Sequence, residues 1–270
     1  MKPNLRILFP FAILLALGGF AAVADSPLPL IQAHAHNDYQ HTRPLLDALA
    51  HGFCSVEADI HLVNGQLLVA HDRSQAKPGR TLQSLYLDPL RARVKQNGGR
   101  VYPNGPEFTL LIDLKTDWRT IYPVLRSVLT NYSDLLSTFR NDAKHTNAVT
   151  AVISGSRTNT LFAGEATRYA TLDGLVADLD LNPPATLVPW ISASWGSLFR
   201  WRGQGEFSAA EAEKLRDIVS RAHGQGRRVR FWGAPDHVEF WRTLRSFDVD
   251  LINTDDLAGL EILLRETKTR

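Results

Sequence analysis

Ser55-Val56-Glu57-Ala58-Asp59-Ile60-His61-Leu62-Val63-Asn64-Gly65-Gln66 is the stretch on which the reading of this chain turns. Val56, Ala58 and Ile60 alternate with Ser55, Glu57 and Asp59, the period of two that a β-strand imposes. The spacing predicts a strand over 55–62, and Asn64-Gly65 then signals a two-residue hairpin. Glu57 and Asp59, at i and i+2, share one face of that strand. In a barrel strand one face packs on helices and the other lines the interior. Two carboxylates pointing inward repel each other unless a cation lies between them. Oxygen donors suit a hard divalent ion, so the expected cofactor is one Mg²⁺ or Ca²⁺. The alternative is a hairpin edge with both acids facing water.

Outward from this strand, short apolar runs recur with helical stretches between them, as parallel βα units require. The other predicted strands are 30–35, 108–114, 148–154, 174–178, 187–192, 228–232 and 250–253. Helices are expected over 43–51, 118–129, 208–225, 236–246 and 255–266. Ser208 with Glu211 three residues on makes a capping box for the clearest of them. Eight strands fit a single α/β domain folded as a (β/α)₈ TIM-type barrel, for which about 250 residues is typical. Residues 73–106, rich in Gly, Pro and Arg, extend the hairpin as an insertion after strand two.

The start of the chain reads differently. Lys2 and Arg6 precede an apolar run from Ile7 to Val23, and Ala22-Val23-Ala24 gives a small-x-small site before Asp25. This is the pattern of a signal peptide over 1–24, cleaved after Ala24, with a secreted or periplasmic domain over 25–270. A retained membrane anchor is the competing reading. Residues 1–24 carry two of the 30 basic residues and none of the 28 acidic ones, so the remainder is formally neutral. Neutrality excludes a nucleic-acid partner of the usual basic kind. The single cysteine, Cys54, excludes an internal disulfide and a cysteine zinc cluster, and is expected to pack as a small apolar residue.

In a TIM-type barrel, function gathers at the carboxyl ends of the strands. His34, His36, Asn37 and Asp38 follow the first strand, His71 and Asp72 end the hairpin, and Asp113 and Lys115 end the third strand. Asp113 can add a third carboxylate to Glu57 and Asp59. Lys115, two residues on, shares its face and suits an anionic substrate group. His36 and His71 are the proton-transfer candidates, because imidazole titrates near neutrality. Later positions are less specific: Trp195, Trp232 and Asn253 end strands six to eight and either line a pocket or pack between loops. Asp178 and Asp180 form a supporting pair or a helix-capping loop. Ser154-Gly155-Ser156-Arg157 is a candidate anion-facing loop. Arg227-Arg228-Val229-Arg230 reads as a solvated strand start.

His36-Asn37, Glu57-Ala58-Asp59, His71-Asp72 and Asp113-Leu114-Lys115 together resemble the superfamily of phosphatidylinositol-specific phospholipases C and glycerophosphodiester phosphodiesterases, which includes sphingomyelinase D. The string from His34 to Tyr39, with Ser55 to Asp59, Trp232-Gly233-Ala234-Pro235 and Ile252-Asn253-Thr254-Asp255, is most similar to its "altered inheritance of mitochondria" branch. The resemblance implies a TIM barrel that hydrolyses phosphodiesters. Metal would be held by Glu57, Asp59 and Asp113, with His36 acting on the attacking oxygen and His71 protonating the leaving alcohol, or the reverse. Asn37, Lys115, Trp232 and Asn253 would contact substrate. The implied partner is a small-molecule or lipid phosphodiester, with transient membrane-surface contact. The chain departs from the glycerophosphodiester pattern at Asn37, where Arg is usual, and at Asp113, where Glu is usual.

Two rival readings compete. His34-Ala35-His36 also matches the His-x-His start of amidohydrolase-type metallohydrolases, which hold softer ions through imidazole. A secreted barrel that binds a phosphate ligand without catalysis is the other, and a complete His–acid–His set argues against it.

Overall fold

The computed structural model describes residues 27–266. The expected signal peptide lies outside the described residues. Eight parallel strands form a nearly closed barrel: β1 (Leu30–Ala35), β2 (Phe53–Val63), β3 (Phe108–Leu114), β4 (Val149–Gly155), β5 (Thr171–Gly174), β6 (Trp190–Ser194), β7 (Arg228–Trp232) and β8 (Ile252–Thr254). The order round the barrel is β7-β6-β5-β4-β3-β2-β1-β8. A parallel bridge between Arg230 and Leu251 draws the two ends together. The hairpin arm Gln66–Val69 pairs antiparallel with β2. Asn64 and Gly65 turn it with positive φ at both positions, the conformation that tight hairpins need.

Helices cover the outside unevenly. They are α1 (Leu46–Ala50), α2 (Asp88–Gln96), α3 (Trp118–Thr130), α4 (Asp178–Leu181), α5 (Trp195–Leu198), α6 (Ala209–Gly224), α7 (Val238–Ser246) and α8 (Leu257–Arg265). Ser208 caps α6 by accepting from the Glu211 amide, as its sequence requires. No helix joins β4 to β5, and only the one-turn α4 joins β5 to β6. The α2 segment lies within the insertion expected after strand two. Cys54 is buried in the apolar core on β2, as expected.

Alternation along the strands sorts the core into two parts. Residues such as Val56, Ala58, Ile112 and Phe231 face out beneath the helices and belong to one large apolar cluster. Inside the barrel, Leu111, Val152, Trp190 and Leu251 form a separate cluster. Each stands two residues before a polar side chain, namely Asp113, Ser154, Ser192 and Asn253, and therefore directly beneath it on the same face. The four apolar residues thus make a floor, and the polar layer above it opens at the carboxyl ends of the strands.

Two expectations need correction, and one open choice closes. The fifth strand ends at Gly174, earlier than expected, because Leu175 points to solvent and Asp178 accepts from the Leu175 amide to start α4. Asp178 therefore pins the turn that leads into α4, and Asp180 pairs with Arg221 on the surface. The Arg227–Arg230 segment is not a solvated strand start. Arg227 is buried against the Val188 and Pro183 carbonyls, and Arg230 points into the barrel. Of the two readings open for Trp195, packing is the one the fold adopts: it stacks on Phe199 at 4.1 Å between ring centres and meets Phe240 and Phe231 edge-on.

Candidate active site

Strand register assembles the acids. Asp59 on β2 lies opposite Asp113 on β3, which lies opposite Ser154 on β4. Glu57 sits one inward position below Asp59. Ligand oxygens of Glu57, Asp59 and Asp113 fall within 4.8 Å of one another, the spacing a single bound cation requires. Asp59 Oδ1 and Asp113 Oδ1 are buried and make no hydrogen bond. Buried oxygens left without a hydrogen bond, in an all-carboxylate set, fit a hard divalent ion.

Positive groups hold this cluster together. Lys115 Nζ lies 3.1 Å from Asp59 Oδ2 and 3.5 Å from Asp113 Oδ1. Arg230 Nη2 lies 3.3 Å from Glu57 Oε2. Burial pushes the Asp113 carboxyl up to about 6, with Lys115 opposing and the Asp59 and Glu57 charges adding to the rise. Burial and the Glu57 charge likewise raise Asp59, against Lys115. Burial would also raise Glu57, but Arg230 and His34 hold its carboxyl well below the usual carboxylate range.

The two catalytic candidates flank the acids. His36 Nδ1 lies 2.9 Å from Asp255 Oδ1, to which it donates when protonated there, and 2.9 Å from Asn37 Nδ2. Burial lowers its basicity, but the Asp255 bond and the Glu57 charge raise it further, for a net rise. His71 Nδ1 lies 3.2 Å from Asp59 Oδ2, and its ring is half-exposed at the mouth. The His71 carbonyl accepts from His61 Nε2 at 3.2 Å, which steadies the hairpin end. Tyr39 Oη lies 2.7 Å from Asp59 Oδ2 and 2.6 Å from the Asn37 side-chain oxygen, and its single proton serves one of them at a time. Asn37 itself adopts a left-handed conformation that turns the chain sharply after β1.

A cavity of about 570 Å³ contains His36, Asn37, Glu57, His71, Asp113 and Lys115 on one side. Trp232, almost half-exposed, stands at its rim with Leu175. Asn253 is buried on β8 above the floor, outside the cavity lining, with its Oδ1 unpartnered. Asp38 is not part of the site. It is fully buried, accepts from the Leu45 amide and Tyr86 Oη, and anchors the loop after β1. His34 is sealed beneath the cavity, with Nδ1 2.7 Å from Ser55 Oγ and Nε2 3.4 Å from Glu57. Burial and Arg230 push its imidazole down to about 3, so it is neutral. Such a ring supports Glu57 and offers no free ligand atom beside His36, which removes the geometric basis of the His-x-His alternative.

Sequence reasoning missed Asp255, Tyr39, Asp173, Ser192 and Arg230. The pairing of Asp255 with His36 joins residues 219 apart. It depends on Asp236, whose carboxylate accepts from the Asp255 and Asp256 amides and from Thr254 Oγ1. The segments 232–235 and 252–255 are thereby tied together beside the site. The spacing Arg228-x-Arg230-x-Trp232 held a signal for one shared face, without saying that the face is the inward one.

Fold and site together define a TIM-barrel protein with a carboxylate triad and two histidines at the barrel mouth. A profile of the AIM6-like phosphodiesterase domain matches residues 26–173, from before β1 into β5. Altered inheritance of mitochondria protein 6 of Eremothecium gossypii is 32% identical over 88% of this chain and 72% of its own length. A homolog of that protein in Arthroderma benhamiae is 28% identical over 86% of this chain and 82% of its own. The chain belongs to the AIM6-like phosphodiesterase domain family. Its fold is also that of a glycerophosphodiester phosphodiesterase from Agrobacterium tumefaciens, with a TM-score of 0.52, 13% identity, and coverage of 87% of this chain and 99% of that one. A glycerophosphodiester phosphodiesterase from Parabacteroides distasonis gives a TM-score of 0.51 at 12% identity, over 88% and 98% of the two chains.

Proposed function

We propose that this protein is a metal-dependent phosphodiester hydrolase acting on glycerophosphodiesters or phospholipid head groups. The observation that carries the reading is the placement of two carboxylate-bound histidines, His36 and His71, in one cavity around the triad Glu57–Asp59–Asp113, of which Glu57 and Asp113 line it and Asp59 lies buried behind them. The triad would hold Mg²⁺ or Ca²⁺, which when bound supplies a positive charge against a phosphate oxygen. Lys115 leaves its two carboxylates for the phosphate once those carboxylates are engaged. One imidazole takes the proton of the attacking hydroxyl or water as its oxygen bonds to phosphorus. The other gives a proton to the alcohol oxygen as the phosphorus–oxygen bond breaks. Asp255 orients His36 and favours its protonated ring, which suits the donor's part. The resemblance points to the same two histidines, with His36 on the attacking oxygen and His71 on the leaving alcohol or the reverse.

Export through the signal-like segment 1–24 completes the proposal and places the substrate outside the cytoplasm. The test is a panel of phosphodiesters with product analysis, run with chelator and again after Mg²⁺ or Ca²⁺ is restored. Turnover that survives chelation would refute the metal's part. Absence of turnover on every diester with metal restored would refute the activity. Export is checked by the N-terminal sequence of the protein recovered from its native compartment, which should begin at Asp25.

A further inference from the structure

Tyr39 stands where the loop after β1 meets the hairpin that carries His71. It is only 4% exposed, and its ring belongs to the large apolar cluster, so packing alone places its hydroxyl. Its carbonyl oxygen accepts from Arg80 Nη2 at 2.7 Å, while the Arg80 carbonyl accepts from the Val69 amide on the hairpin arm. Loop and hairpin are thereby clamped together. The Tyr39 hydroxyl reaches three groups: Asn37 Oδ1 at 2.6 Å, Asp59 Oδ2 at 2.7 Å and His71 Nδ1 at 3.2 Å.

Counting protons fixes what each group does. A phenol has one hydrogen to donate and lone pairs with which to accept. Burial, and then the Asp59 charge, hold that hydrogen on Tyr39. Its two shorter contacts are acceptors: an amide oxygen, and a carboxylate oxygen that also lies 3.1 Å from Lys115 Nζ. The hydrogen goes to one of these, so the Tyr39 oxygen turns a lone pair towards His71. His71 Nδ1 then faces two acceptors at 3.2 Å, Tyr39 Oη and Asp59 Oδ2, and satisfies them only by carrying a hydrogen. Nε2, across the ring, is left to the cavity that His71 lines. The ring is 53% exposed, so these two oxygens hold it where packing does not. From this geometry we infer that Tyr39 is a positioning residue, whose hydroxyl, with Asp59, keeps His71 in the Nδ1–H form with Nε2 towards the substrate. The inference rests on the phosphodiesterase reading and adds how one of its two histidines is kept in register.

The test is Tyr39→Phe, which removes the hydroxyl and keeps the ring, read in two ways. The first is ¹⁵N NMR of the histidine rings in the metal-free protein with His71 neutral, its signal assigned through His71→Gln. The native chain should show the Nδ1–H form, and Tyr39→Phe should move His71 towards a mixture of both ring forms. The second is kinetics on the fastest alkyl diester of the panel, at saturating Mg²⁺ or Ca²⁺. Loss of register should lower kcat by about ten- to a hundredfold and leave KM within about twofold. Ser192→Ala is the control: Ser192 Oγ donates to buried Asp173 at 2.6 Å on the far wall, so His71 should not respond. An unchanged His71 signal in Tyr39→Phe overturns the inference, whatever the kinetics, and so does an equal response in Ser192→Ala. A loss carried by KM alone overturns it too. If the native chain cleaves no diester, the phosphodiesterase reading fails, and the NMR arm still decides how His71 is held. If Tyr39→Phe does not fold, the native spectrum decides, because an Nε2–H ring at His71 contradicts the assignment outright.

Discussion

Arg230 Nη2 lies 3.3 Å from Glu57 Oε2 inside the barrel, with both side chains almost wholly shielded from water. The pair spans the lumen from β7 to β2 and ties a carboxylate of the triad to the opposite wall. Removing one member leaves the other charged and buried, which costs about 3–5 kcal/mol. Arg230→Met should therefore lower Tm sharply. Combining it with Glu57→Gln should cost less than the sum of the single changes, because the second change removes the stranded charge. Thermal denaturation of the three variants checks this.

The histidines should behave in the opposite way. His36 and His71 are open to the cavity and mouth and hold no core contacts of their own. His36→Ala and His71→Ala should each reduce turnover by about 10²–10⁴-fold while leaving Tm within a degree or two. Steady-state kinetics and calorimetry on the same preparations separate the two effects, and two active, well-folded variants would remove both residues from the mechanism.

Divalent cations should stabilise the fold as well as support turnover. At a hundred times its dissociation constant, a cation bound only by the folded chain adds about 2.7 kcal/mol. Mg²⁺ or Ca²⁺ should then raise Tm by roughly 5–10 °C in a domain of this size. Asp113→Asn should abolish most of that shift.

Gly155 gives a sharper probe of the same triad. Its φ is +72°, and a Cβ there would fall 2.6 Å from the Leu114 carbonyl oxygen and even closer to Asp113 Oδ1. Gly155→Ala should lower Tm and weaken cation binding at least tenfold, measured by calorimetric titration, because Asp113 must swing away.

Asp38 should set a pH dependence that has nothing to do with catalysis. Burial pushes its carboxyl up to about 7, despite the Leu45 amide and Tyr86 hydroxyl that favour the ionised form. The folded state thus holds a proton that the unfolded chain, near 3.8, gives up. The stability contributed by this group is complete below pH 3.8 and is lost as pH rises through 7. Asp38→Asn should remove that loss, so its Tm advantage over the native chain should grow from pH 5 to pH 8.

The sequence carried the barrel and the catalytic side of the site because local patterns encode both. Strands β1, β3 and β7 were bounded correctly by their apolar runs, and Glu57-x-Asp59 announced its shared face through spacing alone. The far side of the site was hidden. Asp173 and Ser192 are single polar residues in short strands, and nothing local says that they meet. Arg230 looked like surface because an arginine in a strand usually is, and only closure of the barrel places it opposite Glu57. Asp255 reaches His36 through a loop pinned by Asp236, a relation that no window of sequence contains.

The apolar floor of Leu111, Val152, Trp190 and Leu251 turns the lumen into a cul-de-sac. Substrate arrives and both products depart through one doorway, past Trp232, Leu175 and His71. On the proposed reading traffic there is two-way, so a released product waits in the path of the next diester. The proposed activity should therefore slow as product accumulates, because entry and exit share that doorway.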